Sequence, residues 1–390
     1  MNQKSIFALV CAGGGAHGAY QVGVLKYIHE HFSVGKRSPF QLFAGSSCGA
    51  LNTSFYAAQS FDAYASRLWL EELWLNFHVP QYHGNIFKNS IATIYRHWRR
   101  DPMEKEIMLA LLDPKPMTDV IRKGFQRSNL EKSFAEGSTL GIGVAATELL
   151  SGRTCWFQEG THATAWNLFH SVGVLDRIED KHIAASCSVP IFLPPVKIGP
   201  RFYLDGQVSL ERPLSAAISM GATRILNIGT DKPAPLELPN YDATMTKPKM
   251  TKVIRMLINR LAHDAAGSEA AEIQMFNRFY QALSRRKQRN KPNEHPFPLF
   301  HEKSIPSHYH PLEIYLFYPS KRIRETEGVV RSESGTEART KRTSFMFHES
   351  FIRELINLGY SDGKINHDTL HSFFNPEVKK KWRFFRKRKD

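Results

Sequence analysis

A serine held between two glycines is the first candidate for chemistry in this sequence. The run at 45–49 reads Gly-Ser-Ser-Cys-Gly, a G-x-S-x-G pattern, between an apolar run and a stretch of small residues. Between a strand and a helix, this pattern presents Ser47 at the helix N-terminus, where developing negative charge is stabilised. Gly45 and Gly49 leave room for the sharp, strained turn. The pattern therefore predicts Ser47 as a nucleophile.

A glycine-rich run at 13–18, Gly-Gly-Gly-Ala-His-Gly, forms the second candidate. Backbone amides of such a loop converge at a helix N-terminus and bind anions. The run also fits the dinucleotide pattern G-x-G-x-x-G, which requires an acidic residue about 20 positions later. Lys36 and Arg37 stand there instead. An oxyanion site and a nucleotide site both remain open on this motif alone.

A nucleophilic serine needs a base, and two kinds are available. The chain has 17 histidines, so counting does not exclude a Ser-His-Asp triad. Asp205 is the better candidate because it follows a short predicted strand and precedes Gly206. A desolvated aspartate within hydrogen-bond reach could take the proton of Ser47 directly.

Short apolar runs that alternate with helical patterns must position these groups. They predict an α/β sheet with crossover helices, and two strand–turn–helix units fall within the first 60 residues. The predicted strands are Ile6–Ala12, Phe40–Ala44, Leu140–Ala146, Thr154–Phe157, Arg201–Leu204, Arg224–Gly229 and Leu312–Tyr318. The predicted helices are Ala19–Phe32, Ala50–Ala58, Leu214–Gly221, an amphipathic pair in Val253–Leu283, and Phe351–Leu358, ending at Gly359.

Four stretches in this order resemble the bacterial patatin-like phospholipases. They lie at 13–21, 45–52, 185–195 (Ala-Ser-Cys-Ser-Val-Pro-Ile-Phe-Leu-Pro-Pro) and 205–206, with supporting pieces at 146–152 and 213–222. The resemblance implies a three-layer α/β fold with a mostly parallel central sheet flanked by helices, plus a helical insertion and a C-terminal extension. It also implies a Ser-Asp dyad that hydrolyses acyl esters of lipids, with no cofactor and no metal.

Site residues follow from the resemblance one by one. Ser47 is the nucleophile, Asp205 is the base, and the amides of Gly13, Gly14 and Gly15 form the oxyanion hole. The supporting loop residues are His17, Gly18, Gly45, Gly49 and Gly206. Two positions depart from the family pattern: His17 stands where Arg or Lys is usual, and Gln207 follows Gly206 where Gly or Ala is usual.

The basic charge lies mainly in the last third of the chain. The formal net charge is +15, of which residues 1–250 hold +4 and residues 251–390 hold +11. Lys379–Lys389 combines eight basic residues with Trp382, Phe384 and Phe385. This pattern predicts contact with an anionic membrane surface. A solubilising tail is the alternative, and a nucleic-acid arm is the least favoured partner.

Composition limits the remaining possibilities. The four cysteines show neither zinc-ligand spacing nor a disulfide framework, so they favour a reducing, cytoplasmic setting. Together with the basic tail, this predicts a cytoplasmic protein with peripheral membrane contact. The apolar segment Ile6–Leu25 is interrupted by glycines, so it predicts neither a signal peptide nor a transmembrane helix.

The predicted organisation has four parts. They are a catalytic domain at 1–240 with a helical insertion or cap at 60–132, a helical extension and basic linker at 241–305, a returning strand and helix packed on the core at 306–375, and a basic aromatic tail at 376–390. The predicted function is a serine hydrolase of phospholipid or other acyl-ester lipid substrates. A lipid transacylase with the same dyad, and a non-catalytic lipid- or nucleotide-binding protein, are the alternatives.

Overall fold

Short apolar runs become the central strands, of five to eight residues, of a single large sheet in the computed structural model. The structure describes residues 5–33, 35–76, 110, 112–168, 170–232, 265–288, 311–321, 323, 327–331, 337–341 and 347–375. Part of the predicted insertion, at 77–109, residues 233–264, the linker at 289–310 and the basic aromatic tail at 376–390 lie outside these residues.

Strands and helices alternate through the first half of the described chain. The strands are β1 (Phe7–Cys11), β2 (Leu42–Ser46), β3 (Gly141–Glu148), β4 (Thr154–Glu159), β5 (Trp166–Asn167), β6 (Ser171–Leu175), β7 (Val196–Ile198), β8 (Arg201–Asp205), β9 (Arg224–Ile228), β10 (Glu313–Phe317), β11 (Glu327–Arg331) and β12 (Glu337–Lys341). The helices are α1 (Gly18–Phe32), α2 (Cys48–Ala58), α3 (Ala63–Leu75), α4 (Lys115–Gly124), α5 (Arg127–Ala135), α6 (Asp180–Ser186), α7 (Ser215–Ser219), α8 (Ala266–Gln288), α9 (Glu349–Ile365) and α10 (His367–Phe374).

The sheet has a parallel centre and antiparallel additions. Its strand order is β10-β9-β1-β2-β3-β4-β6-β5, and the run from β10 to β3 is parallel throughout. β4 pairs with β3 in the antiparallel sense, and β11 and β12 form a separate antiparallel ribbon. The mostly parallel α/β sheet predicted from the sequence is confirmed, and its central strands begin and end within two residues of their predicted bounds.

Two apolar layers cover the two faces of the sheet. Alternate residues of β1 and β2 enter different cores: Leu9 and Phe43 pack with α1, α2 and α9, whereas Val10 and Ala44 pack with α7 and the start of α8. This alternation follows from the two-residue period of a strand buried on both sides. The result is three layers, with helices on both faces of the sheet.

The last long helix differs from its prediction. α9 does not stop at Gly359 but continues to Ile365. A Cβ atom on Gly359 would collide with the carbonyl oxygen of Tyr20, and one on Gly23 would collide with that of Ile356. Gly359 therefore permits close contact between α9 and α1, and it does not mark a helix end.

Two other helical regions bear on the sequence predictions. α8 is a single helix over the described part of the predicted pair in 253–283, whose residues 253–264 lie outside the described ranges. The described part of the predicted insertion is helical in α3, α4 and α5. None of the helices in the described chain combines the length and apolar character needed to cross a bilayer.

Candidate active site

The candidate nucleophile and base lie where two strands meet end to end alongside β3. β2 pairs with the first part of β3, so that Ser46 lies opposite Ala145. β8 pairs with the last part, so that Asp205 lies opposite Ala146. β4 occupies the other side of β3, and β8 therefore continues the line of β2. This arrangement brings the C-terminal ends of β2 and β8 together at what we call the carboxyl edge of the sheet.

Ser47 has the strained backbone expected of a nucleophile at a sharp turn. Its φ of 55° and ψ of −131° lie in a region that L-residues rarely adopt. The residue caps α2 and is 7% exposed. Its N–H donates to the Ser186 hydroxyl oxygen at 2.9 Å, which gives the buried turn a fixed partner. Strain held by surrounding contacts is typical of functional sites.

Asp205 is a buried carboxylic acid at the end of β8. Its Oδ1 accepts from the Gln207 N–H at 2.8 Å, and its own N–H donates to the Ser188 carbonyl at 2.9 Å. Burial raises the pKa of Asp205 to about 7, against the smaller lowering effects of hydrogen bonding by Ser47 and Gln207. Among the described residues, the Asp205 Oδ2 has no well-aligned hydrogen-bond donor. The Ser47 hydroxyl is nevertheless near enough to lower the pKa of Asp205.

The glycine-rich loop runs directly beside Ser47. A Cβ atom on Gly13 would lie 3.0 Å from the Ser47 Cβ and 2.5 Å from the Gln207 Cγ. The Gly13 carbonyl accepts from the Thr230 hydroxyl at 2.6 Å, which ties the loop to the end of β9. Gly15, with a φ of 60°, lines the same cavity as Ser47. The structure thus brings the predicted loop, the predicted nucleophile and the unusual Gln207 together.

The supporting glycines lie in tight backbone contacts around this turn. A Cβ atom on Gly49 would collide with the Cys11 carbonyl, one on Gly45 with the Gly49 carbonyl, and one on Gly18 would lie 2.9 Å from the Cys48 sulfur. A Cβ atom on Gly206 would lie 2.5 Å from the Ala145 carbonyl oxygen and 2.6 Å from the Ser46 Oγ. Larger residues at these positions would move the strands and helices that present Ser47.

Cys48 is a protonated thiol beside the nucleophile. Burial and the charge of Asp205 raise the pKa of Cys48 to about 12, although the amides of Gly14, Gly15 and Gly18 act in the opposite direction. A thiol must ionise to act as a nucleophile. The environment therefore favours Ser47 over Cys48 as the attacking group.

A buried polar chain that the sequence analysis missed connects the glycine-rich loop to α3. The Gln21 side-chain amide donates to the carbonyls of Ala12 at 2.8 Å and Ile228 at 2.9 Å. Asn52 donates to the Gln21 side-chain oxygen at 2.8 Å, and the Trp74 indole donates to Asn52 at 2.8 Å. The sequence does carry a signal for this chain of hydrogen bonds, because Gln21 in α1 and Asn52 in α2 are polar residues within otherwise apolar stretches.

His17 faces the C-terminal part of the chain. The residue is fully buried, and its ring meets that of Phe351 edge to face at a centroid distance of 6.1 Å. The family's usual Arg or Lys is thus replaced by a ring that packs against the start of α9. This contact ties the glycine-rich loop to a helix more than 300 residues away in the sequence.

A narrow apolar cavity of about 50 Å³ opens beside Ser47. One of its walls is aromatic: the Trp74 and Phe347 rings stack at 6.3 Å with 15° between their planes. The lining residues are Gly15, Ser47, Cys48, Leu51, Leu73, Trp74, Leu112, Met117, Cys187, Val189, Phe192, Leu193 and Phe347. Across the described residues, no group of three or more His, Cys, Asp or Glu side chains is placed to hold a metal ion.

Comparison with known proteins places this geometry in context. The family model of the patatin-like phospholipases matches residues 9–218. Among solved structures, VipD from Legionella pneumophila is 12% identical with a TM-score of 0.37, over 94% of this chain and 67% of VipD. Human GIVD cytosolic phospholipase A2, in complex with methyl gamma-linolenyl fluorophosphonate, is 11% identical with a TM-score of 0.42. That alignment covers 96% of this chain, which spans 60% of the human chain.

Proposed function

The chain belongs to the patatin-like phospholipase family, and from that premise we propose that it cleaves fatty-acyl esters of lipids through an acyl-enzyme on Ser47. Membership in the family supports a lipid hydrolase function. The observation that carries the finer proposal is the meeting of β2 and β8, which puts a strained serine beside a buried aspartate with a raised pKa. A paired nucleophile and base at a strand end suit acyl transfer.

The first half of the proposed reaction forms the acyl-enzyme. The Asp205 carboxylate takes the Ser47 hydroxyl proton as Oγ attacks the ester carbonyl carbon. The carbonyl π bond opens to an oxyanion, which the amides of Gly13, Gly14 and Gly15 stabilise. Removal of one such donor costs about 3–4 kcal/mol in comparable sites. Collapse of this intermediate breaks the bond to the leaving alkoxide, which receives the proton from Asp205.

The second half returns the free enzyme. Asp205 takes a proton from water, the resulting hydroxide attacks the acyl carbon, and a second oxyanion forms in the same place. Its collapse releases the fatty acid, and Ser47 recovers the proton from Asp205. One carboxyl group therefore serves as base and then acid in each half, which a pKa near 7 favours because both forms are populated at neutral pH.

The substrate proposal rests on the cavity beside Ser47. Its lining is apolar apart from the reacting groups, which suits a fatty-acyl chain of a phospholipid or another ester lipid. All four cysteines are free and buried, which fits a cytoplasmic protein. We keep the proposal that Lys379–Lys389, outside the described residues, contacts anionic membranes, while nucleic acid remains a disfavoured partner.

A lipid-panel assay tests this function. Ser47→Ala and Asp205→Asn should each abolish release of fatty acid from phospholipid and from a soluble ester, with unchanged circular dichroism. A fluorophosphonate probe should label the native protein but not Ser47→Ala, because a non-catalytic lipid- or nucleotide-binding protein has no activated serine. Appreciable hydrolysis by Ser47→Ala would refute the assignment.

Product analysis separates hydrolysis from transacylation. With an added lipid alcohol, a hydrolase still releases free fatty acid as its main product, whereas a transacylase forms a new ester. A nicotinamide or adenine cofactor bound to the purified protein would favour the nucleotide-binding alternative instead.

A further inference from the structure

Three turns of the chain meet on the outer side of the carboxyl edge. They are the β3–β4 turn at 149–153, the described residues Leu168 and His170 between β5 and β6, and the β7–β8 hairpin. The Leu149 N–H donates to the Phe202 carbonyl at 2.9 Å, so the first and third turns are hydrogen-bonded. The Arg153 guanidinium donates to the Leu168 carbonyl at 2.8 Å, which joins the second turn to the first.

Large apolar side chains project from this group of turns into solvent. Leu150 is 92% exposed at the tip of the β3–β4 turn, and Phe202 is 45% exposed on the hairpin. Leu149 and Leu168 are 38% and 47% exposed. Single exposed apolar residues are ordinary on a protein surface, but adjacent ones at the edge that carries a site indicate an interaction surface.

The hairpin register places a cation in the same row. Lys197 pairs with Phe202 across β7 and β8, and Phe202 is bonded in turn to Leu149. Because directly paired residues point to the same face of a sheet, these three side chains form one row. The Lys197 ammonium lies 5.9 Å from the Phe202 ring centroid. Lys197 therefore adds a positive charge beside the exposed Phe202 ring.

The charge of the surface is positive. Arg153 and Lys197 border the apolar side chains, whereas Arg201 lies on the other face of β8, with its guanidinium 3.8 Å from the Glu148 carboxylate. The sequences 149–153 and 196–202 contain no acidic residue. Glu148 precedes the first turn but is 2% exposed, and its oxygens accept from the backbone N–H groups of Leu150 and Ser151. Exposed apolar groups framed by cations are complementary to an anionic lipid surface, where acyl chains lie beneath charged headgroups.

This surface adjoins the candidate active site. Phe202 precedes Asp205 by three residues on β8, which is about 10 Å along a strand. The loop that leads into β7 has two sides: Val189, Phe192 and Leu193 line the cavity, whereas Ile191 is 61% exposed. A bilayer resting on the turns would therefore lie at the same end of the sheet as Ser47 and Asp205.

We propose that Leu149, Leu150 and Phe202, together with Arg153 and Lys197, form a docking surface for an anionic lipid bilayer. The surface holds the carboxyl edge against the membrane, so that a lipid can pass from the bilayer to Ser47. Delivery of a lipid to Ser47 rests on the proposed function, whereas binding to the bilayer does not require catalysis.

Vesicle binding by the full chain tests the proposal without catalysis. The protein carries Ser47→Ala so that the vesicles stay intact, and binding is measured by flotation with vesicles of phosphatidylcholine alone or mixed equally with phosphatidylserine. Leu150→Glu and Phe202→Glu should each weaken binding to the mixed vesicles by about tenfold or more, since each removes apolar insertion and adds repulsion. Ile365→Glu is the matched control: Ile365 is 74% exposed at the far end of α9, and its change should leave binding unaltered.

A charge series and a soluble substrate complete the test. Arg153→Gln and Lys197→Gln should each weaken binding to the mixed vesicles by about fivefold at low salt and have little effect on phosphatidylcholine alone. With Ser47 restored, Leu150→Glu should hydrolyse a soluble ester at the native rate.

The two ways of failing can be told apart. Equal vesicle binding by Leu150→Glu, Phe202→Glu and Ile365→Glu would overturn the docking surface, and so would binding confined to a protein partner. Hydrolysis of the soluble ester by Ser47→Ala would instead overturn the proposed function and leave the binding result standing.

Discussion

The carboxyl edge of the sheet and the contact between α1 and α9 both depend on glycines that let backbones approach. At the carboxyl edge, Gly13 lies against Ser47 and Gly49 lies against the Cys11 carbonyl. Between the helices, Gly23 and Gly359 each lie against a carbonyl of the facing helix. Gly13 and Gly49 position one strained turn through a few close contacts. Gly23 and Gly359, in contrast, allow two long helices to pack over several turns.

This difference separates two consequences of packing. At the carboxyl edge, hydrogen bonds to Ser47 and Asp205 hold the reacting groups in place, so errors there should cost activity. At the helix contact, α9 covers apolar surface of α1 and meets the glycine-rich loop through the contact between Phe351 and His17, so errors there should cost stability. The predictions below test whether the two consequences are separable.

The largest effect should come from the proton on Asp205. Burial raises its pKa in the folded protein to about 7, above the ordinary carboxyl value of 3.8. The carboxylate form of Asp205, which takes the proton of Ser47, predominates only above that pKa. We therefore expect kcat/KM to fall about tenfold per pH unit below it. A pH–rate profile on a soluble ester checks this. A flat profile between roughly pH 5 and 8 would contradict the role of Asp205 as the base.

Stability should move the other way with pH. A carboxyl whose pKa is raised by folding favours the folded state most below pH 3.8, and this contribution is lost as pH rises towards 7. Each unit of the pKa difference is worth about 1.4 kcal/mol. Asp205→Asn should remove this part of the pH dependence of urea unfolding as well as the activity.

Gly359→Ala should have the next largest effect, and on stability alone. The added methyl group would collide with the Tyr20 carbonyl, a backbone atom that moves only with its helix. Overpacking of this kind costs about 1–3 kcal/mol, measured by urea unfolding. The rate on a soluble ester, per folded molecule, should stay within about twofold of the native rate because no hydrogen bond of Ser47 or Asp205 changes.

Gly267→Ala provides the matched control for that helix glycine. Gly267 lies in the first turn of α8, where an added Cβ would meet only the Tyr318 hydroxyl, at 3.9 Å. Alanine there should be neutral or stabilise the fold by up to about 1 kcal/mol. Equal destabilisation by the two variants would contradict the assignment of the loss to the α1–α9 contact, because helix propensity by itself favours alanine over glycine.

Ser186→Ala tests whether a hydrogen bond remote from the reacting atoms positions the nucleophile. The substitution leaves the buried Ser47 N–H without its acceptor, so the turn should relax and kcat should fall about tenfold with little change in KM. Ser188→Ala is the control, because the Ser188 hydroxyl donates only to the Ala184 carbonyl. A similar loss of kcat in both variants would contradict a specific positioning role for Ser186.

Phe347→Ala should have the smallest effect, and it tests a residue that belongs to both of the compared regions. Phe347 belongs to the same C-terminal part of the chain as α9, yet its ring stacks on Trp74 in the wall of the acyl cavity. Its removal enlarges the cavity, so kcat/KM for long-chain esters should rise severalfold relative to short-chain ones, on the order of 1 kcal/mol. Phe374→Ala, at the opposite edge of the sheet, should leave the chain-length profile unchanged.

Short-range patterns predicted much of the fold and of the candidate site. The strands β1 and β2 and the helices α1 and α2 follow from apolar runs and glycine-rich turns, and these signals are local. The same is true of Ser47 and the loop beginning at Gly13. The end of α9 was predicted wrongly because Gly359 has the same local signature at a helix end and at a close helix contact, and only the facing Tyr20 distinguishes them.

By itself, the sequence determined which residues could react and which local turns present them, since a strained turn and a glycine-rich loop are encoded within a few neighbouring residues. The tertiary structure alone decided that β8 continues the line of β2, that the Ser186 hydroxyl accepts from Ser47, and that His17 meets Phe351. Each of these depends on segments more than 130 residues apart, which meet only because the sheet and its apolar layers bring them together. The raised pKa of Asp205 has the same origin, because burial of its carboxyl group is a property of the packed core.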